Sequence, residues 1–361
     1  MVVDAYAVIM AGGKGERFWP VSTRKHPKQV LSLVGGKPML AQAVERVETL
    51  IPPENVYVIT SADLVDITRE SVARVPAENI IGEPFGRDTA AAVALGAALV
   101  EARNPQGVMA VLTADHVIGD PDIFVKTIAE SLVLAAGDDV LITMGILPEF
   151  PSTGFGYIDA GDAYPFDGVT QFFRARRFVE KPGRPVAEDY LAAGHYFWNS
   201  GMFVWSLKSI LSAFERHQPP LRAMIQRLRG VAGTPQLACA IEEEYGKLEK
   251  ISIDYAVMEK ANNILMAKGT FRWDDIGSWP AIGNHFEADD QGNVAIGDCE
   301  AIDSQDNVVY SRERLTALIG VKDLVVVQAE GATLICPKAR AQEVKAMVKR
   351  LAERGDSDAL L

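Results

Sequence analysis

The chain has 361 residues, 48% of them hydrophobic and 23% charged, with 36 Lys+Arg against 48 Asp+Glu and a formal net charge of −12. That acidic balance speaks against a nucleic-acid partner, which needs a broad positive face, and no apolar run reaches the about 18 residues of a membrane span. Length and composition fit a soluble globular protein with one large core and a smaller second unit.

The first element read along the chain is a strand over Val2–Met10. Asp4 lies inside it and no cationic segment precedes it, so it reads as a buried strand rather than a secretory signal. Three cysteines, Cys239, Cys299 and Cys336, are odd in number and far apart. They give neither a disulfide framework nor metal-ligand spacing, and a reducing cytoplasm is the expected location.

Directly after the strand comes Ala11-Gly-Gly-Lys-Gly-Glu-Arg-Phe-Trp-Pro20, which leads on to Pro27-Lys28-Gln29. Gly12, Gly13 and Gly15 let backbone N–H groups approach an anion without interference from Cβ. The dinucleotide fingerprint fails because position 18 is Phe, and the Walker pattern fails because Gly13-Lys14 is followed by Gly15 rather than Ser or Thr. Residues 11–29 carry Lys14, Arg17, Arg24, Lys25 and Lys28 against Glu16 alone. A cationic island in an acidic chain predicts a small anionic ligand, with Arg17 and Lys28 neutralising phosphate charge.

Short apolar runs then alternate with helical periodicity, as in an α/β fold with a mainly parallel sheet. Strands are predicted at Val56–Thr60, Asn79–Ile81, Gly107–Leu112 and Val140–Met144, and helices at Met39–Leu50, Asp63–Ala73, Thr89–Ala102 and Asp122–Ala135. Ligands of such sheets bind beyond the carboxyl ends of the strands, so the loops after Met10 and Leu112 should share one crevice. The pattern turns β-rich at Gly156–Asp159, Phe172–Val179 and Phe197–Trp205, and helical segments return between Leu207 and Lys260. A turn-rich stretch after His285 places a domain boundary there, giving domains 1–285 and 286–361. The second domain is predicted to hold short strands at Val294–Ile296, Asn307–Tyr310, Leu315–Ile319, Leu324–Gln328 and Thr333–Cys336, and a closing helix at Ala339–Arg354. Its apolar pieces Leu324-Val-Val-Val327 and Leu334-Ile335 suit either a homodimer interface or packing on the larger domain.

Ala11-Gly-Gly-x-Gly-x-Arg17 with Pro27-Lys28-Gln29 resembles the signature of the sugar-nucleotide pyrophosphorylases. Further segments resemble the mannose-1-phosphate guanylyltransferases among them: Gly82-Glu-Pro-Phe-Gly-Arg-Asp-Thr89, Thr113-Ala-Asp-His116, Gly154-Phe-Gly-Tyr-Ile158, Phe178-Val-Glu-Lys-Pro182, Trp198-Asn-Ser-Gly-Met-Phe203, Ser252-Ile-Asp-Tyr-Ala-Val-Met-Glu-Lys260 and Trp273-Asp-Asp-Ile-Gly-Ser-Trp279. The resemblance implies a Rossmann-like, GT-A-like nucleotidyltransferase domain with a mostly parallel mixed sheet, followed by a small β-rich domain ending in a helix. It also implies GMP transfer from GTP to mannose 1-phosphate, giving GDP-mannose and pyrophosphate. The chain ends before the cupin isomerase domain of longer bifunctional members, so only the transferase activity is expected. Departures are Asp88 for Asn, Ala91 for Pro and Phe155 for Tyr.

In such a transfer the sugar phosphate attacks the α-phosphorus in line. The nucleophile is already anionic, so no general base is needed and the barrier is the meeting of two polyanions. An Arg17 fork suits the β and γ phosphates, and a Lys28 point charge suits the α-phosphate. Mg²⁺ takes one or two carboxylates. Asp115 lies just past a strand end, and Asp275 resembles the family's second ligand, with Asp274 as its rival. His116 suits a supporting contact, because a hard cation prefers oxygen. For the sugar, Glu180 accepts from hydroxyls, Lys181 contacts the phosphate, Asn199 donates and accepts, and Gly145 and Gly156 allow close approach. Guanine presents N1–H beside an amino group, a pair that one carboxylate can accept. Glu83 is therefore the expected base reader, assisted by Arg87 and the amides of Ala11 and Gly12. Two alternatives stay open: the same chemistry on another sugar 1-phosphate or triphosphate, and a non-catalytic sugar-nucleotide sensor.

Overall fold

The computed structural model describes residues 3–354; Val2, predicted as the start of the first strand, lies outside them. By density of internal contacts the chain divides into two compact units. Among the described residues, unit 1 gathers residues 3–12, 43–114 and 118–273, and unit 2 gathers 13–42, 115–117 and 274–354. The border therefore differs from a single cut near residue 286. Two short segments of the first half, one of them the cationic loop, belong with the C-terminal part.

Unit 1 is built on a nine-stranded mixed sheet. Its first four strands are β1 (Ala5–Met10), β2 (Val56–Ser61), β3 (Ile80–Glu83) and β4 (Val108–Thr113). They pair in parallel in the order β3-β2-β1-β4. These strands are continuous apolar runs because both faces are covered: Ala7, Val8 and Ile9 are fully buried. The two-residue β5 (Val117–Ile118) precedes β6 (Leu141–Ile146), β7 (Tyr157–Tyr164), β8 (Phe172–Val179), β9 (Tyr196–Ser206) and β10 (Ile264–Gly269). β9 runs antiparallel to both β4 and β6, β10 runs parallel to β6, and β8 with β7 closes the far edge antiparallel. The sheet is mixed, with its parallel part confined largely to the first half of the order.

Helix Thr89–Arg103 is apolar around its whole circumference and is buried accordingly. A Cβ at Gly96 would stand 2.6 Å from Val8 Cγ1, so glycine is what lets this helix approach β1. Helical segments return between 207 and 260 as expected, at Leu207–His217, Pro219–Arg229 and Leu237–Tyr245, followed by a π-helical turn at Asp254–Met258. β10 had no counterpart in the sequence reading. Ile264-Leu-Met-Ala267 is buried on both faces, so it lacks the alternation that marks a half-exposed strand.

Unit 2 contains the two-residue β11 (Trp273–Asp274) in part, then β12 (Val294–Ile302), β13 (Val308–Ile319), β14 (Leu324–Ala329) and β15 (Ala332–Pro337). β12, β13 and β14 stack in parallel although consecutive in sequence, and β15 returns antiparallel. The two strands expected at Asn307–Tyr310 and Leu315–Ile319 are one strand, β13. Its partner β12 shifts register between Gly297 and Cys299 to match. Gly297 has φ +114°, and a Cβ there would fall 1.7 Å from Ser311 O, so only glycine fits this irregularity.

Buried asparagines bind successive coils. Asn293 Oδ1 accepts from the backbone and side chain of Asn307, and Asn307 Oδ1 accepts from Leu324 N–H. The core of unit 2 joins Phe18, Trp19, Leu33 and Met39 to Ile276, Trp279, Tyr310, Val325, Val327 and Leu334. Val325, Val327 and Leu334, three of the residues read as interface candidates, are thus buried in the unit's own core, whereas Ile335 is exposed. The chain ends its described part on helix Val344–Ala352.

Candidate active site

Within unit 2, Gly15 turns the loop at φ +61°. A Cβ there would lie 2.7 Å from both Lys28 Cβ and Lys28 N and 2.8 Å from Ser22 Oγ. The glycine therefore lets the loop fold back against the Lys28 segment. Gly13 has no atom within 4 Å of where its Cβ would be, so that stretch of backbone stays open to a ligand. Arg17 sits in the short helix Glu16–Phe18, exposed, and its charge acts on Asp275.

Lys28 is only 5% exposed. Its Nζ donates to Asp115 Oδ2 at 3.0 Å and to the Asp275 carbonyl at 2.6 Å, and it lies 5.5 Å from the Phe18 ring centroid. Burial opposes ionisation of Asp115, but the charges of Lys28 and His116 outweigh it and hold the carboxyl below its ordinary range. His116 Nε2 lies 3.9 Å from Asp115 Oδ1, a supporting position.

Asp274 and Asp275 have separate surroundings. Asp274 Oδ1 accepts from Ile276 N–H at 2.7 Å and Asp274 Oδ2 lies 2.9 Å from His285 Nε2, so this carboxylate is occupied by the fold. Ile276 adopts φ +41°, a region that β-branched residues avoid. The Asp274 hydrogen bond and the full burial of the Ile276 side chain hold it there. The Asp275 carboxylate takes no hydrogen bond among the described residues. Burial pushes it up to about 6; Lys28 opposes this, while Asp274 and Asp115 add to it. Asp115 and Asp275 thus lie close enough for each other's charge to be felt, with Lys28 and Arg17 acting on the same group. Such a pair fits Mg²⁺, which needs only one or two protein carboxylates. Among the described residues no cluster of three or more metal-ligating side chains occurs.

Unit 1 holds the groups expected at the nucleoside and sugar. Ala11 N–H donates to Ile59 O at 2.7 Å, so it is committed to the backbone of β2. Glu83, at the end of β3, is buried, and a Cβ on Gly12 would stand 3.2 Å from its Oε2. Burial pushes the Glu83 carboxyl up to about 7, with Tyr245 opposing. Tyr245 OH donates to Glu83 Oε1 at 3.0 Å. Arg87 stacks over Phe85 and donates to Tyr245 O at 3.0 Å. It is a brace for the segment that carries Glu83.

Gly156, Glu180, Lys181 and Asn199 come together. A Cβ on Gly156 would lie 2.6 Å from Glu180 Oε2 and 3.6 Å from Asn199 Cβ, so both side chains lean over a bare glycine. Lys181 pairs with Glu180 Oε1. Asn199 Oδ1 accepts from Thr143 Oγ1 at 2.9 Å and Gly201 N–H at 3.2 Å, and Asn199 Nδ2 donates to Asp254 Oδ1 at 2.7 Å. Gly145 is a different case. It is interior to the sheet, and a Cβ there would meet Met266 Sδ at 2.3 Å, so packing alone requires the glycine.

Tyr245, Thr143, Asp254 and His285 were not assigned roles from the sequence, and Asp274, the rival for the metal, is instead engaged by Ile276 N–H and His285. Asp254 lies inside the Ser252–Lys260 motif, which offered a signal. Tyr245 lies in a segment whose only visible feature is an acidic helix.

The Nucleotidyl transferase family profile matches residues 6–292, and that of the MannoseP isomerase/GMP-like beta-helix domain matches residues 297–351. The chain is similar to the mannose-1-phosphate guanylyltransferase of Klebsiella pneumoniae, at 37% identity over 356 residues, 97% of this chain and 74% of that protein. It is also similar to the mannose-1-phosphate guanylyltransferase of Escherichia coli strain K12, at 34% identity over 355 residues with the same two shares. A crystal structure from Thermus thermophilus, described as a mannose-1-phosphate geranyltransferase, matches with a TM-score of 0.87 at 36% identity, covering 97% of this chain and 100% of that one. Sequence and fold agree on one conclusion: the chain belongs to the nucleotidyl transferase family, among the mannose-1-phosphate guanylyltransferases.

Proposed function

We propose that this protein transfers GMP from GTP to α-D-mannose 1-phosphate, releasing pyrophosphate and GDP-mannose. The observation that carries the reading is Lys28, a buried ammonium held by Asp115 Oδ2 and the Asp275 carbonyl and so aimed rather than free. A cation fixed in this way stabilises charge that develops at the α-phosphorus without reorganising during the reaction. Arg17 adds a planar fork suited to the leaving β and γ phosphates.

Asp115 and Asp275 would hold Mg²⁺, which when bound screens the repulsion between phosphates and orients their oxygens. Glu83 accepts from guanine N1–H and the exocyclic amino group, and the exposed Gly12 amide contacts the base or ribose. Glu180 accepts from sugar hydroxyls, while Lys181 neutralises the sugar phosphate. No general base is assigned, because the attacking phosphate is already an anion. The names of the Klebsiella and E. coli relatives support the choice of sugar and base.

The test is a pyrophosphate-release assay over a grid of triphosphates and sugar 1-phosphates, with and without Mg²⁺. The reading predicts turnover for GTP with mannose 1-phosphate and a divalent-ion requirement. Turnover confined to another pair would move the substrate assignment, and none with any pair would remove the transferase reading.

A further inference from the structure

Asn199 has four hydrogen-bonding positions on its carboxamide, two acceptor lone pairs and two N–H donors. Three of them are taken within unit 1. Gly201 N–H can only donate, so it fixes which end of the amide is oxygen, and Thr143 Oγ1 occupies the second lone pair. Asp254 Oδ1 accepts from Nδ2 at 2.7 Å, the short distance of a charge-assisted bond. One N–H remains. Because a carboxylate can only accept, Asp254 prevents the amide from turning over, and it holds the remaining N–H in one direction as a donor.

Asn199 N–H also donates to Gly156 O at 2.8 Å, so the backbone beneath the amide is fixed as well. Beside it on the same bare glycine stands Glu180, an acceptor. The pair offers one donor and one acceptor side by side, the pattern that reads the lone pair of one sugar hydroxyl and the proton of the next. Asp254 itself opens a π-helical turn, a geometry that occurs frequently at functional sites. Burial and the Glu180 charge push its carboxyl up to about 6, and the bond from Asn199 and the Lys181 ammonium oppose that shift.

Resting on the reading of a sugar-phosphate acceptor, we propose that Asp254 is the positioning residue of sugar recognition, which locks the Asn199 carboxamide so that its one free N–H serves as the donor to the sugar 1-phosphate. Asp254→Asn keeps the shape but replaces a group that can only accept with an amide that can also donate, so the Nδ2 end of Asn199 loses its fixed acceptor while Gly201 N–H and Thr143 still hold the oxygen end.

Two measurements test this on the full chain. In a ¹H–¹⁵N spectrum the Asn199 carboxamide, identified by its loss in Asn199→Ala, should show two widely separated proton shifts that collapse toward ordinary spacing in Asp254→Asn; an ordinary spacing in the wild type overturns the lock. Calorimetric titration with mannose 1-phosphate should give a Kd about tenfold higher for Asp254→Asn and for Asn199→Ala, with GTP affinity unchanged. The double variant should bind no worse than Asn199→Ala alone. Multiplying effects, equal loss for GTP, or unchanged sugar-phosphate affinity would overturn the positioning role. If the wild type binds glucose 1-phosphate rather than mannose 1-phosphate, the substrate reading fails and the same comparison decides Asp254 on that sugar; binding of neither overturns both.

Discussion

Lys28 Nζ lies 3.0 Å from Asp115 Oδ2, and the two residues are 87 positions apart in sequence. Lys28 follows the cationic loop, and Asp115 follows β4 by two residues. Neither is informative alone; paired, they make an oriented charge whose carboxylate partner stays ionised.

Removing that charge should be costly for the reaction. Lys28→Ala is expected to lower kcat by about 100-fold or more, the scale of losing a preorganised electrostatic contact. Its effect on KM should be smaller, because the interaction strengthens in the transition state. Pyrophosphate release measured beside a circular-dichroism melt separates this from unfolding, and near-normal turnover would remove Lys28 from the mechanism.

Glu83 predicts a pH effect. Its carboxyl is raised to about 7 in the free protein, so below that pH it is mostly protonated and cannot accept from both guanine donors. The kcat/KM for GTP should therefore rise as pH increases through neutrality and then level off. Glu83→Gln should abolish the rise together with the preference for GTP over ATP. A Gln variant that still selects GTP would place base reading elsewhere.

The adjacent aspartates should separate by phenotype. Asp275→Asn is expected to raise the half-saturating Mg²⁺ concentration by at least the roughly 10–100-fold seen when a group supporting a metal site is lost, with little change in melting. Asp274→Ala removes the acceptor for Ile276 N–H and the partner of His285, so its expected loss is about 1–3 kcal/mol of folding stability. Denaturant unfolding and a magnesium titration of both variants would show the two effects exchanged if the assignment were reversed.

Gly15→Ala tests the loop. The left-handed conformation alone disfavours Ala by about 1–2 kcal/mol, and the new Cβ would press on Lys28. Both stability and kcat should fall. In Gly13→Ala, where a Cβ meets nothing within 4 Å, neither strain arises, and stability should be retained.

Much of unit 1 was legible because its physics is local. Apolar runs of strand length alternating with helical periodicity gave β1 to β4, β6, and the helices between them, since burial on both faces of a parallel sheet demands such runs. The glycine loop was legible because the turn at Gly15 excludes a side chain, and its cations stood out against an acidic chain. Leu315–Ile319 looked like a strand of its own because Ser311–Arg314 is polar and breaks the pattern. Ser311 Oγ donating to Arg314 O carries β13 through that break, an effect that periodicity does not record.

The sequence by itself determined which residue types the chain brings to phosphate chemistry: Arg17, Lys28 and a set of aspartates, with the carboxylates and amide of the sugar group. Tertiary structure alone decided their duties. It fixed Asp274 to the backbone and left the Asp275 carboxylate without a hydrogen bond among the described residues, turned Gly145 into a packing residue against Met266, and set Asp254 behind Asn199. The reason is physical: composition and periodicity report what a residue can do, whereas burial and the direction of each hydrogen bond depend on partners that can lie far away along the chain.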